Sequence, residues 1–267
     1  MSPSHRPDPA RRAVTLAVAN QKGGVAKTTT VASLGAALSE LGRRVLLVDL
    51  DPQSCLTFSL GLDPETVTAS LHEVLAAGLP LGEAVVSTAE GMDLVPAAID
   101  LAGTEAMLLA RPGREYSLRE ALGTLAQRYD VMLLDCSPSL GVLTLNALTA
   151  ADEVLVPLQC EMLSHRGVGQ LLDTISDVRR YLNHDLAVRG LLPTMYDGRS
   201  AHSRAVLADL TGRYGLPVLE PIPRSIRFAE APAAGRSALS AQSSSRAPRG
   251  VQAYRDLAAT LLTGWSC

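Results

Sequence analysis

The sequence predicts an α/β protein: a single domain built on a doubly wound, mainly parallel sheet flanked by helices. Three observations predict it. Short apolar runs rich in β-branched residues alternate with segments whose apolar residues recur at helical spacing. The runs are apolar throughout, as strands buried on both faces are. The first run, "VTLAVAN" at 14–20, leads into a glycine-rich turn and then a helix, the connection from which parallel sheets are wound.

The elements follow in order. The helix opening at Lys27 places Val31, Leu34, Leu38 and Leu41 on one face and stops at Gly42. "RVLLVDLD" (44–51) is the second buried strand. A helical stretch around "ASLHEVLAAG" (69–78), a strand in "GMDLVPA" (91–97) and helices at 98–110 and 117–128 come next. "YDVMLLD" (129–135), "EVLVPL" (153–158) and "LAVRGLLPTM" (186–195) read as strands, the last interrupted by Gly190 and Pro193. Helices at 164–182 and 201–213 accompany them, and "LPVLEPIP" (216–223) reads as a short final strand. A closing helix, 250–263, aligns Val251, Tyr254, Leu257, Leu261 and Trp265 on one face. Residues 1–12 are expected to form a disordered lead-in, 13–267 the folded domain, and 237–249 a surface loop.

Composition narrows the function classes. Apolar residues at 47% and charged residues at 19% suit a globular chain and exclude a disordered one. A net charge of −3 argues against general polyanion binding, so contact with nucleic acid needs a local basic patch. No apolar run reaches the roughly 18–20 residues of a membrane span. Cys55, Cys136, Cys160 and Cys267 lack Cys-x-x-Cys pairing and read as scattered reduced thiols of a cytoplasmic protein. Cys136 could ligate an iron–sulfur cluster, but a small buried residue is the better reading.

The turn "ANQKGGVAKTTT" (19–30) departs from the usual Gly-x-x-x-x-Gly-Lys-Ser/Thr phosphate loop. Gln21 stands for the first glycine, Ala26 for the last, and Lys22 is added. Yet of 24 basic residues only Lys22 and Lys27 are lysines, and a compact ammonium suits a tight phosphate loop better than a planar guanidinium. Backbone N–H groups of Gly23, Gly24, Val25 and Ala26 can point at phosphate oxygens, helped by the helix N-terminus. Lys27 would reach the β- and γ-phosphates and Thr28 would hold Mg²⁺, with Thr29 beside it. Ala26 is expected at an ordinary negative φ on entering the helix. Lys22 is placed to reach outward, towards a nucleotide on a second subunit.

"KGGVAKTTT" resembles the deviant Walker A motif, KGGxxK[ST], of the ParA/Soj/MinD family of P-loop ATPases. "RVLLVDLDPQ", "YDVMLLDCSPSL", "PTMYDGR" and "IPRSIRFAEAPAAGRS" resemble further motifs of its ParA/Soj branch, so the likeness runs from about residue 14 to 255. It implies ATP and Mg²⁺ as cofactors, a nucleotide-sandwich homodimer, and slow hydrolysis stimulated by a ParB-type partner. The ATP-bound dimer would bind nucleoid DNA without sequence preference, partitioning a chromosome or plasmid.

By this resemblance Lys22, Lys27 and Asp51 carry catalysis, with Asp51 positioning the attacking water. Thr28, Asp51 and Asp135 hold the metal, and Met195 and Pro223 border the nucleotide. Asp49 stands in the same turn as Asp51. Ser54-Cys55 replaces the family's Gly-Asn, and Ser137 one of its two prolines. Asn146 resembles a family position, although a helix-surface amide explains it nearly as well. From Arg199 to Arg255 nine arginines face three acids, and Arg199, Arg224 and Arg227 are the DNA-binding candidates, Arg224 alternatively lining the adenine pocket. The rivals are a MinD-like membrane-positioning ATPase, a positioner of another cargo and a redox enzyme of the same superfamily. A membrane anchor in the closing helix, with one Arg opposed by an Asp, is a poorer expectation than packing onto the domain.

Overall fold

A computed structural model describes residues 12–161, 164–239 and 248–265. The expected lead-in, apart from Arg12, and most of the expected loop 237–249 lie outside the described residues.

Seven strands form one sheet: β1 (Val14–Val18), β2 (Val45–Leu50), β3 (Val86–Ser87), β4 (Asp93–Val95), β5 (Val131–Cys136), β6 (Glu153–Gln159) and β7 (Ala187–Thr194). Their order is β3-β4-β2-β5-β1-β6-β7, parallel except for the β3–β4 edge pair. Alternate residues serve opposite faces because successive strand side chains point opposite ways. Leu16, Val18, Leu47 and Leu133 join the core under helices α1 (Lys27–Glu40) and α9 (Arg249–Gly264). Ala17, Leu46, Val48 and Leu134 join the core on the other face, with α5 (Val142–Ala150) and α6 (Ser164–Tyr181).

Two shorter helices bear on the site, α2 (Cys55–Ser59) and α3 (Leu101–Leu109). The chain further includes α4 (Ser117–Gly123), α7 (Ala201–Tyr214) and α8 (Arg227–Glu230). The expected helix around 69–78 shrinks to a single wide turn at Glu73–Ala77, ended by Gly78 at φ 75°.

The segment 216–223 is not a strand. It touches the sheet through isolated bridges, Leu191 to Val218 and Tyr196 to Pro223. Pro217, Pro221 and Pro223 supply no N–H for a continuous ladder. Its approach explains Gly190 inside β7: at φ 157°, an added Cβ would stand 2.8 Å from the Pro217 carbonyl oxygen. Asn146 is likewise not on a helix surface. It is fully buried, accepts from Leu118 N and donates to the carbonyls of Arg114 and Val142, tying α5 to the start of α4.

The closing helix packs as its apolar face requires. Val251, Tyr254 and Leu261 are buried against α1, and the hydroxyls of Tyr254 and Thr30 lie 2.9 Å apart. Arg255 reaches Glu40 at 2.7 Å. Leu261→Ala should therefore cost about 2–5 kcal/mol of unfolding free energy in denaturant titration. A loss under about 0.5 kcal/mol would mean that α9 does not belong to this core.

Candidate nucleotide site

The carboxyl ends of β1, β2 and β5 meet at one crevice, the usual ligand position in open parallel sheets. β1 runs into the turn 19–26, which delivers Lys27 as the first residue of α1. Gly23 and Gly24 are exposed, and nothing lies within 4 Å of where a Cβ on either would stand. Ala26 departs from expectation: its φ is 66°, in the left-handed region, not a negative value. Three contacts from strand ends hold the loop in that shape. Thr194 Oγ1 donates to the Val25 carbonyl at 3.0 Å, Gln159 Nε2 to the Gly24 carbonyl at 2.9 Å, and Asn20 Nδ2 to the Pro157 carbonyl at 2.6 Å.

Lys27 is buried and its Nζ donates to the Lys22 carbonyl at 3.4 Å. Burial holds its pKa below the usual lysine value, although Asp135 and Asp51 act in the opposite direction. Lys22 sits at the rim, its Nζ 2.9 Å from Glu161 and 3.3 Å from the Gln159 side-chain oxygen of the same chain.

Asp49 and Asp135 are register partners on neighbouring strands, and both are fully buried. Their surroundings differ. Asp49 accepts from Asp51 N at 3.1 Å, Thr57 N at 2.9 Å and Thr57 Oγ1 at 2.7 Å, and burial still lifts it to about 6. Both Asp135 oxygens are buried without a hydrogen-bond partner. Desolvation and the neighbouring Asp49 push its pKa well up, while Thr28 and Lys27 pull it partly back. Asp51, half-buried, caps the following turn by accepting from Gln53 N at 3.0 Å. Thr28 and Thr29, both half-buried, lie in the first turn of α1.

Met195 and Pro223 come together in a cavity of about 320 Å³ beside the loop, lined also by Ala26, Thr29, Arg224 and Phe228. Phe228, which the sequence did not single out, stacks edge-on against Tyr254 with ring centroids 5.4 Å apart. Arg199 and Arg227 are exposed outside this cavity, and Arg199 pairs with Asp197 at 3.1 Å. Thr57, Gln159 and Thr194 were also missed, because their partners lie far along the chain or in backbone groups. Cys136 belongs to the buried core, and its thiol is pushed up by burial and by Asp135.

The crevice thus offers an open loop of N–H groups, a buried ammonium and an unpaired buried carboxylate. That donor set fits a polyphosphate with a hard divalent cation.

Comparison with known proteins bears on the same residues. A family model described as an AAA domain matches residues 13–188. The sporulation initiation inhibitor protein Soj of Bacillus subtilis is 41% identical, over 91% of this chain and 96% of its own length. The chromosome partitioning protein ParA of Caulobacter vibrioides is 45% identical, over 84% and 85%. A solved structure described as cobyrinic acid a,c-diamide synthase from Mycobacterium smegmatis, with bound ATP analogue and magnesium, is 58% identical. It superposes with a TM-score of 0.85 over 95% of this chain and 96% of that one.

The two buried acids set a testable pH dependence. A carboxyl whose pKa rises on folding binds its proton more tightly in the native state. For Asp49, burial is therefore harmless below about pH 4, weakens the fold as pH climbs to about 6 and levels off above that. For Asp135, whose pKa is raised, the loss likewise begins at about pH 4 and continues up to its native pKa. Asp135→Asn removes a buried charge that Thr28 and Lys27 offset only in part. The ligand-free variant should melt higher than wild type at pH 8, with the gap closing towards pH 5, and should lose Mg²⁺-dependent stabilisation by ATP. Thermal scans at both pH values check this, and an unchanged Mg²⁺ response would contradict it.

Proposed function

The chain belongs to the AAA-domain family matched over residues 13–188 and to the ParA/MinD/CobQ superfamily of P-loop ATPases, and on that premise we propose a ParA-type partitioning ATPase. It binds ATP with Mg²⁺ and hydrolyses it. Backbone N–H groups of Gly23 to Ala26 with Lys27, Thr28 and Thr29 would hold the phosphates, and Met195 and Pro223 the base. Thr28, Asp51 and Asp135 would hold Mg²⁺, which neutralises phosphate charge when bound. Asp51 would orient the attacking water.

The observation that carries the reading is the pair of lysines in one loop. Lys27 is shut in at the helix start, while Lys22 stands at the rim in a solvent-exposed ion pair. Exposed pairs of this kind contribute at most about 1 kcal/mol, so Lys22 would exchange Glu161 and the Gln159 side-chain oxygen for the phosphates of a second subunit. ATP would thereby build a sandwich homodimer. That dimer would bind nucleoid DNA through Arg199, Arg227 and, where the adenine pocket leaves it free, Arg224. A ParB-type activator would stimulate hydrolysis and release it, in a cytoplasmic cycle. No helix among the described residues is long and apolar enough to cross a membrane.

The Mycobacterium smegmatis structure favours a second reading, ATP-dependent amide formation on a carboxylic acid. Taking ammonia from glutamine needs an activated thiolate. Among the described residues, desolvation raises the thiol pKa of buried Cys136 and Cys160 and, with help from Asp51, that of exposed Cys55, which disfavours that role for these three. Turnover stimulated by DNA and activator supports partitioning. Amide product from a polycarboxylic acid supports the synthase.

The direct test is DNA mobility shift with ATP, ADP or no nucleotide. Wild type should be retarded with ATP alone, Lys22→Ala should lose this response, and Asp51→Ala should hold DNA longer at reduced turnover. Arg227→Ala should weaken binding on every sequence and lower the salt slope by about 0.9 for each phosphate that the dimer no longer neutralises. Retention that ignores nucleotide in the wild type sinks the switch, and ATP-dependent pelleting with anionic vesicles would favour a membrane role.

A further inference from the structure

Thr57 lies on α2, six residues beyond Asp51, and is fully buried. Its hydroxyl makes two hydrogen bonds in series. It donates to Asp49 Oδ2 at 2.7 Å and accepts from Ala97 N at 2.9 Å. Its own N–H adds a second bond to the same Asp49 oxygen at 2.9 Å. The other Asp49 oxygen accepts from Asp51 N at 3.1 Å. A continuous chain therefore runs from the backbone of Asp51, through Asp49 and Thr57, to the backbone at Ala97.

Ala97 lies in the connection between β4 and α3, two residues before Ile99, which is 73% exposed. Thr57 supplies two of the three donors that the buried Asp49 carboxylate receives. Without its hydroxyl, Asp49 loses one donor and the Ala97 N–H loses its acceptor. A buried charge short of a donor is costly enough to shift the segment that holds it.

We propose that Thr57 is a positioning residue for ATP hydrolysis: through Asp49 it fixes the Asp51 turn, and through Ala97 it ties that turn to the β4–α3 connection. The inference rests on Asp51 acting at the γ-phosphate, as proposed above. Thr57 touches no reacting atom. Its role is to keep the Asp51 backbone at one distance from the phosphate loop, a placement on which hydrolysis rate depends steeply. The proposed phosphate contacts lie in the loop 19–30, to which this chain of bonds does not lead, so displacing the Asp51 turn should lower kcat far more than it raises KM.

The test compares Thr57→Val, Thr57→Ala and Thr57→Ser for kcat, KM for ATP and melting temperature, assayed well below each variant's transition. Thr57→Val keeps the shape and loses the hydroxyl. Its kcat should fall about 10- to 100-fold with KM within about twofold, as for other groups that orient a catalytic residue. Thr57→Ser keeps the hydroxyl and should retain kcat within about threefold. Should Thr57→Val fail to fold, the Ala and Ser pair carries the same comparison. A wild-type kcat in Thr57→Val or Thr57→Ala, whatever the melting temperature, overturns the proposal. So does a Ser variant as slow as Ala. Asp51→Ala in the same assay separates the two layers. If it turns over at the wild-type rate, the reading of Asp51 itself fails. If it is slow while Thr57→Val is not, only the role of Thr57 fails.

Discussion

Two carboxylates, Asp49 and Asp135, are buried side by side on neighbouring strands with one buried ammonium, Lys27, nearby. Much of the crevice follows from that placement. The paired strands cannot separate to relieve the repulsion, because their backbones are locked in register through the centre of the sheet. The two acids are compensated unequally. Asp49 has three internal donors and is a finished structural element. Asp135 has no such set: Thr28 and Lys27 offset its burial only in part, the sort of deficit that a bound cation removes. One acid organises the turn, and the other fits the cation-holding role proposed for it.

Backbone strain gathers at the same place. Among the described residues, Ala26, Ser54 and Met195 are the non-glycine residues at positive φ. Ala26 and Met195 line one cavity, and Ser54 opens α2 beside Asp51. Such conformations cost about 1–3 kcal/mol each and survive where surrounding contacts impose them. Here the imposing contacts are visible: Gln159 and Thr194 grip the loop carbonyls, and Gln159 also donates to the Met195 sulfur at 3.2 Å. Stiffness at the ends of β6 and β7 is thereby transmitted to the phosphate loop.

Much of this was legible in the sequence, for reasons that also mark the limits. Apolar runs gave the parallel strands because full burial leaves a pattern in consecutive residues. The carboxylates at strand ends and the lysines in the loop were legible because their chemistry is tied to a local motif. What failed depended on partners remote in the chain. Whether 216–223 pairs as a strand turns on three prolines meeting β7, and the φ of Ala26 on contacts from residues more than 130 positions away. Asn146 shows an amide on an apolar helix, which reads as surface until Leu118 and Arg114 are found against it. Thr57 carries no motif at all, since a threonine matters here through whom it touches.

The basic C-terminal region is weaker in space than in a count of residues. Arg213 pairs with Asp209, Arg255 with Glu40 from a distant helix, and Arg199 with Asp197. The Arg213 pair is already counted in the excess of six arginines over acids, but Asp197 and Glu40, from outside that segment, offset two more, in a chain whose net charge is −3. On the proposed function, one copy would offer few phosphate contacts, each contributing its own counterion release to the affinity. Doubling the contacts in a dimer adds their free energies and multiplies the binding constants, so affinity rises far more than twofold. For the proposed nucleotide-controlled DNA switch, a modest patch on an acidic protein would therefore serve better than a strong one. A strongly basic chain would hold DNA as a monomer, and ATP would have nothing left to control.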